Sequence, residues 1–353
     1  MKVFGSIVSL DWIKGLRDGS RMTELNSANQ AYAGKPVLVT GGAGFIGSHL
    51  VEALVRVGAR VRVLDDLSTG NRDNLKNAAD KIDFIVGDIR DADLCLRAAE
   101  GVAVIFHLAA FVSVPESLQK PDRTFAINLF GSSHIFEAAA RHAVSRVVYA
   151  SSCAVYGDCS TMPLRESHSG RMLSPYAVSK RSVEHLAEYA FAGQNLSTVG
   201  LRFFNVYGPR QSPRSAYAAV IPLYIESCLA GRAPKIFGDG TQTRDFIHVD
   251  DVVRANMLAG VAQGVQATVA NVGTGIATSI QALAAMSCEF ANTNLLPQFL
   301  EARPGDISRS VCDTQHAEHA LGFKAEVSLR EGIKGLFRIG PNPGSLGAGK
   351  QGA

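Results

Sequence analysis

Two rhythms of hydrophobic and polar positions alternate along this chain. From Lys35 onward the short runs VLVT, VRVLDD, FIVGD, VAVIFHLAA, VSRVVYASS and STVGLRFFN are apolar and rich in β-formers, so they read as buried strands. Between them lie stretches with apolar residues three and four apart, such as SHLVEALVRVG and the segment Phe125 to Ala143, which predict helices. Strand, helix and strand in succession join parallel neighbours through a crossover, and repeated crossovers cover both sheet faces. The pattern predicts an α/β fold built on a Rossmann-type, doubly wound parallel sheet.

The rhythm loosens after Asn205. GPRQSPRSAYAAV and APKIFGDGTQTRDFIHVDD are rich in Gly, Pro and turn residues, which predicts a smaller mixed α/β domain over the sheet edge, assembled from 206–245 and 272–338. The helix Asp250 to Ala262, within 246–271, is expected to pack back on the large domain, 34–205. Residues 1–33 form an N-terminal extension without a clear role, and its polar run Thr23 to Gln30 reads as a linker or a loosely docked helix. The segment 339–353 reads as a disordered tail.

Composition narrows the function classes. A length of 353 residues exceeds the usual ceiling for one core and fits a large domain with a companion. With 46% hydrophobic and 19% charged residues the chain has apolar surface enough for a sizeable core, which excludes wholesale disorder. The formal charge of +3 is spread without a basic stripe, so a nucleic-acid partner is not expected. No stretch reaches the length of a membrane span, so no membrane partner is expected either. The six cysteines show no CxxC pair and no ligand spacing with histidine, which predicts no metal site. Without a secretory signal, reduced thiols and a cytoplasmic location are the better reading.

The first strand runs into GGAGFIG and then a helical pattern, the context that a dinucleotide-binding turn requires. Gly41 allows the tight turn, Gly44 lets backbone approach a pyrophosphate, and Gly47 permits close helix–sheet packing, while the helix N-terminus faces the anion. Asp65 closes the second strand about 20 residues on, where a carboxylate accepts both ribose hydroxyls. That position favours NAD over NADP, although Arg72 is near enough to leave NADP open and Asp65 alone also fits a solvated strand end. Asp88 is placed to accept from an adenine amino group, and His107 to Ala110 (HLAA) put small residues at a strand end beside the cofactor.

Tyr176 and Lys180, in SPYAVSK, are four residues apart and share one face of a helix. An unperturbed tyrosine titrates near about 10, and a lysine together with an oxidised nicotinamide stabilises its phenolate enough for general-base work. Lys180 is expected to hold the nicotinamide ribose as well. Ser152, ending the VVYASS strand, would add a hydrogen bond to the reacting oxygen. The Tyr-x-x-x-Lys spacing alone also fits an ordinary amphipathic face, but here it lies downstream of the glycine turn on the same predicted sheet.

Over roughly Lys35 to Arg338 the chain resembles the extended short-chain dehydrogenase/reductases, specifically the NAD-dependent nucleotide-sugar epimerases and dehydratases. TGGAGFIGSHL, LDDLSTG, GDIRD, HLAA, ASSCAVYGD, PYAVSK, LRFFNVYGPRQ, RDFIHVDD, NVGTG and RPGD follow in family order. The resemblance extends the cofactor contacts to Phe45, Ile46, Asp66, Ser68, Thr69, Gly70, Ile89, Leu108, Ala109, Ala110 and Phe203. It implies a shared first step, hydride transfer from sugar C4 to NAD to give a 4-keto sugar. Related dehydratases carry an Asp-Glu pair after the catalytic Ser or Thr, and related decarboxylases a Glu. This chain has Cys153 and Ala154 there, so elimination lacks its base. Epimerisation needs none: the ketone turns over and the hydride returns to its other face.

SVPES and YGPRQSPRSAYAAVIP resemble the bacterial UDP-N-acetylglucosamine 4-epimerases more than the strict UDP-glucose group. The resemblance implies that Ser113, Asn205, Val220, Phe237, Arg244, Arg303 and Asp306 contact a UDP-sugar, with the arginines on the diphosphate. It matches Ser310 to a gate position that is bulky in epimerases restricted to non-acetylated sugars; an ordinary loop serine is the rival reading. A UDP-uronate 4-epimerase, another oxidoreductase or dehydratase of the same family, and a silent dinucleotide sensor stay open as alternatives. A homodimer is implied through Thr124 to Ala143 and Tyr176 to Ala192.

Overall fold

The structure, a computed structural model, describes residues 29–212, 220–302 and 307–340. β1 (Pro36–Thr40) leads through α1 (Phe45–Arg56) to β2 (Arg60–Asp65), and β3 (Ile82–Val86) through α2 (Ala92–Ala99) to β4 (Val104–His107). Two short helices, α3 (Val114–Gln119) and α4 (Pro121–Phe125), run through a π turn, Ala126–Gly131, into α5 (Ser132–Arg141). β5 (Arg146–Ser152), α6 (Pro175–Gln194) and β6 (Thr198–Phe203) follow. After β7 (Asn205–Tyr207), α7 (Val220–Leu229), β8 (Lys235–Phe237), β9 (Thr243–Arg244) and β10 (Phe246–His248), the chain returns through α8 (Val249–Val261) and β11 (Thr268–Val272). It continues with β12 (Thr278–Ser279), α9 (Ile280–Phe290), β13 (Gln298–Leu300), β14 (Arg309–Ser310), α10 (Gln315–Leu321) and α11 (Leu329–Ile339).

Seven strands form one parallel sheet in the order β11-β6-β5-β4-β1-β2-β3. The expected Rossmann-type α/β fold is what the chain adopts. Alternate residues of each strand serve opposite cores, which explains the continuous apolar runs. Val37 and Val39 pack with Leu50 and Leu54 of α1 and Val252 and Ala259 of α8. Leu38 packs on the other face with Ala98 of α2, Ile135 and Phe136 of α5 and Val183 of α6. The strand order reverses between β1 and β4, and the carboxyl ends around that switch point are where ligands of such sheets bind.

A third core, with Tyr207, Ile221, Tyr224, Ile236, Ile280, Leu283 and Ile333, joins α7, α9 and α11 to the short strand pairs β7 with β10 and β8 with β13. β9 pairs with β12 on one side and β14 on the other.

Two features depart from the sequence reading. The helix expected from Phe125 to Ala143 is interrupted by the π turn, because Asn128 turns its carboxamide out of the helix and bonds both backbone groups of Phe111. Within the segment read as an extension, Tyr32 is fully buried; its hydroxyl donates to the Met257 carbonyl at 2.7 Å and its ring packs on Phe106. A single aromatic anchor in a polar stretch gives no periodic signal. Residues 1–28 and 341–353, including most of the predicted extension and tail, lie outside the described residues.

Candidate active site

The glycine turn forms because only glycine fits it. Gly41 has φ of 69°, and a Cβ there would stand 2.7 Å from the Ala109 nitrogen. At Gly47 a Cβ would lie 2.1 Å from the Gly41 carbonyl, so the helix could not approach the strand. Gly44 caps α1 without a side-chain hydrogen bond, and no acidic residue stands in the first turn that Phe45 and Ile46 begin. The first backbone N–H groups of α1 are thus left for an anion.

Asp65 lies beside this turn. Its carboxylate is almost buried and accepts from the Ala43 amide at 2.9 Å and the Leu67 amide at 2.8 Å, which leaves lone pairs for further donors. Burial pushes its pKa up, against those two amides, which pull it down. Gly70 approaches so closely that a Cβ would meet the Asp65 oxygen at 2.8 Å. Asp66 accepts from both the amide and the hydroxyl of Ser68, at 2.9 and 2.6 Å, which shapes the loop running on through Thr69. Arg72, the candidate for a 2′-phosphate, lies over the Phe84 ring at 4.6 Å. The carboxylate, the open helix end and the glycine cradle fit NAD.

Asp88 follows β3 and is clamped by Arg90, which donates from its amide at 2.8 Å and from its guanidinium at 2.9 and 2.5 Å. That bonding holds the carboxyl below the usual range. Ile89 is buried beneath it. At the end of β4, His107 bridges the Thr40 hydroxyl at 2.7 Å and the Ser132 hydroxyl at 2.8 Å. Thr40 in turn accepts from the Ala109 amide at 3.2 Å, fixing Leu108 to Ala110 against the glycine turn. Burial, aided by the Lys180 charge, lowers the His107 pKa to about 3, so the ring is neutral.

Tyr176 and Lys180 occupy the first turns of α6, which Ser174 caps by accepting from the Ala177 amide. The Lys180 ammonium lies 6.0 Å from the centre of the Tyr176 ring and donates to the Ala150 carbonyl at 2.9 Å. Burial pushes its pKa down to about 8, opposed by the Glu184 carboxylate one helical turn further on. Ser152 ends β5, and its hydroxyl caps the 3-10 turn Cys153–Tyr156 by accepting from the Ala154 amide at 3.2 Å. The sheet therefore brings Ser152 and the Ala150 carbonyl under the helix that carries the Tyr-Lys pair. Phe203 ends the adjacent strand β6.

Arg244 on β9 stands in register with Ser310 on β14. Ser310 is buried, and the Cys153 thiol lies within hydrogen-bonding reach of the Ser310 and Ser152 hydroxyls. The predicted gate residue is thus placed against the strand end that bears Ser152. Burial pushes the Cys153 thiol up to about 11, with Arg244 pulling the other way, so the group beside Ser152 is uncharged at neutral pH. Asn205 offers a buried Oδ1 with no partner among the described residues. Ser113 caps α3 by accepting from the Glu116 amide. Val220 opens α7 and Phe237 ends β8. Arg303 and Asp306 lie outside the described residues.

Three supporting groups escaped the sequence reading. Asn128 donates to the Ser179 hydroxyl at 3.0 Å and ties the π turn to α6 beside Tyr176. Glu184, eight residues beyond Tyr176 on the same helical face, binds Arg202 through two bonds of 2.8 Å and accepts from Ser151 at 2.6 Å. Its spacing from Lys180 could have flagged it. Asp245 is wholly buried where β9 meets β10.

Comparison with known proteins accords with this geometry. Residues 37–273 match the NAD dependent epimerase/dehydratase family. The UDP-glucose 4-epimerase of Mycolicibacterium smegmatis is 42% identical over 300 residues, covering 84% of this chain and 95% of its own. A UDP-N-acetylglucosamine 4-epimerase from Methanobrevibacter ruminantium, solved with UDP-N-acetylmuramic acid, superposes with a TM-score of 0.82 at 38% identity, covering 87% of this chain and 99% of that one. The UDP-glucose 4-epimerase of Thermus thermophilus, solved with NAD, superposes with a TM-score of 0.77 at 35% identity, covering 85% and 96%. Matched by the family model over residues 37–273 and by these relatives over most of its length, the chain belongs to the NAD dependent epimerase/dehydratase family of enzymes.

Proposed function

We propose that this enzyme epimerises UDP-hexoses at C4 and accepts N-acetylated sugars. The observation that carries this reading is the uncharged pair Cys153 and Ser310 beside Ser152 and the Tyr-Lys helix. A carboxylate at Cys153 would offer a base for elimination; a neutral thiol offers none. A small buried hydroxyl at Ser310, rather than a bulky side chain, is consistent with room for an acetamido group.

NAD, when bound, supplies reversible hydride acceptance at the sugar carbon. Gly41, Gly44 and Gly47 would hold its pyrophosphate against α1, and Asp65 its ribose. Tyr176 takes the proton of the C4 hydroxyl as the carbonyl forms and gives it back when the alcohol is restored on the opposite face. Lys180, cationic below about pH 8, lowers the cost of the phenolate. Ser152 donates to the same sugar oxygen and keeps it near the phenol. Asn205, Arg244, Arg303 and Asp306 hold the UDP, with the two arginines on its diphosphate, so the 4-keto sugar turns over while its UDP anchor stays bound.

The test is direct. Purified enzyme incubated with UDP-N-acetylglucosamine, UDP-glucose or UDP-glucuronate is followed by the anomeric proton signals. The expected result is a mixture of gluco and galacto forms, reached with UDP-N-acetylglucosamine and without added reductant. Conversion of UDP-glucuronate alone would move the assignment to a uronate epimerase, and no galacto product from any of the three would refute it.

A further inference from the structure

We infer that Asp245 is the positioning residue that sets the substrate-binding half of the site. Resting on the proposed reading of Asn205, Arg244 and Ser310 as substrate contacts, the inference assigns them a common anchor. Asp245 is the single residue between β9 and β10 and is wholly buried. One carboxylate oxygen accepts from the Thr274 amide at 2.8 Å and its hydroxyl at 2.6 Å. The other accepts from the Gly275 amide at 2.9 Å, the Cys312 thiol at 3.2 Å and the Cys312 amide at 3.4 Å. A charged acceptor with this many short donors holds its neighbours more firmly than a neutral group would.

Four segments meet here, and three of them each deliver a ligand-side residue. Arg244 precedes Asp245 directly, so the placement of the carboxylate fixes where the guanidinium leaves the backbone. The Asp245 carbonyl accepts from the Asn205 amide at 2.9 Å, which positions the side chain with the open Oδ1. Cys312 lies two residues after Ser310, so its bonds to Asp245 pin the strand that carries the gate. The packing leaves no slack: a Cβ on Gly273 would stand 2.5 Å from the Cys312 sulfur and 2.8 Å from the carboxylate. Tyr176, Lys180 and Ser152 belong to other elements and take no part in this cluster.

The experiment compares wild-type holoenzyme with Asp245→Asn, Thr274→Val and Thr274→Ser by UDP titration calorimetry, steady-state kinetics, bound-NAD content and thermal melting. In Asp245→Asn an amide N–H₂ faces donors, so the Kd for UDP and the KM for the UDP-sugar should rise on the order of ten-fold, with kcat at saturation and bound NAD retained. Thr274→Val, which keeps the shape but deletes the hydroxyl that donates to Asp245 and accepts from the Ile276 amide, should give a smaller rise in the same direction, and Thr274→Ser should restore wild-type values. If Asp245→Asn does not fold, the Thr274 pair decides. Wild-type affinity for UDP in these variants, with or without a lower melting temperature, overturns the inference and leaves the proposed function standing. A wild-type protein that neither binds UDP nor converts a UDP-sugar overturns both.

Discussion

At Lys180 burial and charge pull against each other. The ammonium is held by the Ala150 carbonyl and faces the Tyr176 ring, yet burial lowers its pKa to about 8. In the proposed mechanism this cation supports the Tyr176 phenolate, and it is present below that value and lost above it. The pH profile of kcat/KM is therefore expected to fall on its alkaline side from about pH 8, and Lys180→Met should remove that limb along with most of the activity. Tyr176→Phe should cost on the order of a hundred-fold or more in kcat while bound NAD is kept, which separates proton transfer from cofactor binding. His107 carries a second titration. Its folded pKa of about 3 lies below the ordinary 6.5, so the unfolded chain binds the extra proton between these values. Stability should fall as pH drops from 6.5 toward 3, and denaturant titrations of His107→Asn should show a flatter pH dependence over that window. The Tyr-Lys-Ser set was legible because helix and strand geometry follow from local spacing. Cys153 against Ser310 was not, because that contact joins residues from separate segments.

At the scale of elements, α6 is held at the site by Glu184 and Arg202, whose side chains are 2% and 1% exposed. Glu184→Gln leaves a buried guanidinium without its counter-charge, and the expected loss is about 3 kcal/mol in denaturant unfolding, with activity falling as Lys180 loses its neighbouring carboxylate. A loss under about 0.5 kcal/mol would mean that water replaces the carboxylate. The strands and helices of the sheet were readable because each is an uninterrupted apolar run or a 3.6-residue repeat. The π turn at Ala126–Gly131 was hidden for a physical reason: its cause is the tertiary bonding of Asn128 to Phe111 and Ser179, and the surrounding residues keep a helical pattern. Short strands such as β9 and β14, two residues each, carry no periodic signal at all.

For the whole molecule, one sheet carries the glycine turn and Ser152 and packs against the helix of the Tyr-Lys pair, while a separate apolar core holds the short strands β7, β8 and β10. The short strands lie where the sequence rhythm changes after Asn205, but the crossing of four segments at Asp245 could be seen only once the chain was folded. No helix among the described residues is long and apolar enough to cross a membrane. Phe130 and Tyr189 are 60% and 62% exposed on the two segments expected to pair between subunits, and large apolar side chains there suit a dimer interface. Light scattering at micromolar concentration should give twice the mass of the chain, and Tyr189→Glu with Phe130→Glu should give the single mass.

In the proposed reaction the C4 hydrogen leaves the sugar and returns to it within the site while Tyr176 handles the proton. The most direct measurement uses UDP-N-acetylglucosamine carrying deuterium at C4, with the product read by mass spectrometry and NMR. The galacto product is expected to keep the deuterium at C4 in ordinary water. Wash-out of the label into solvent, or a rate equal to that of the unlabelled sugar when C4 hydride transfer limits turnover, would overturn the proposed reaction.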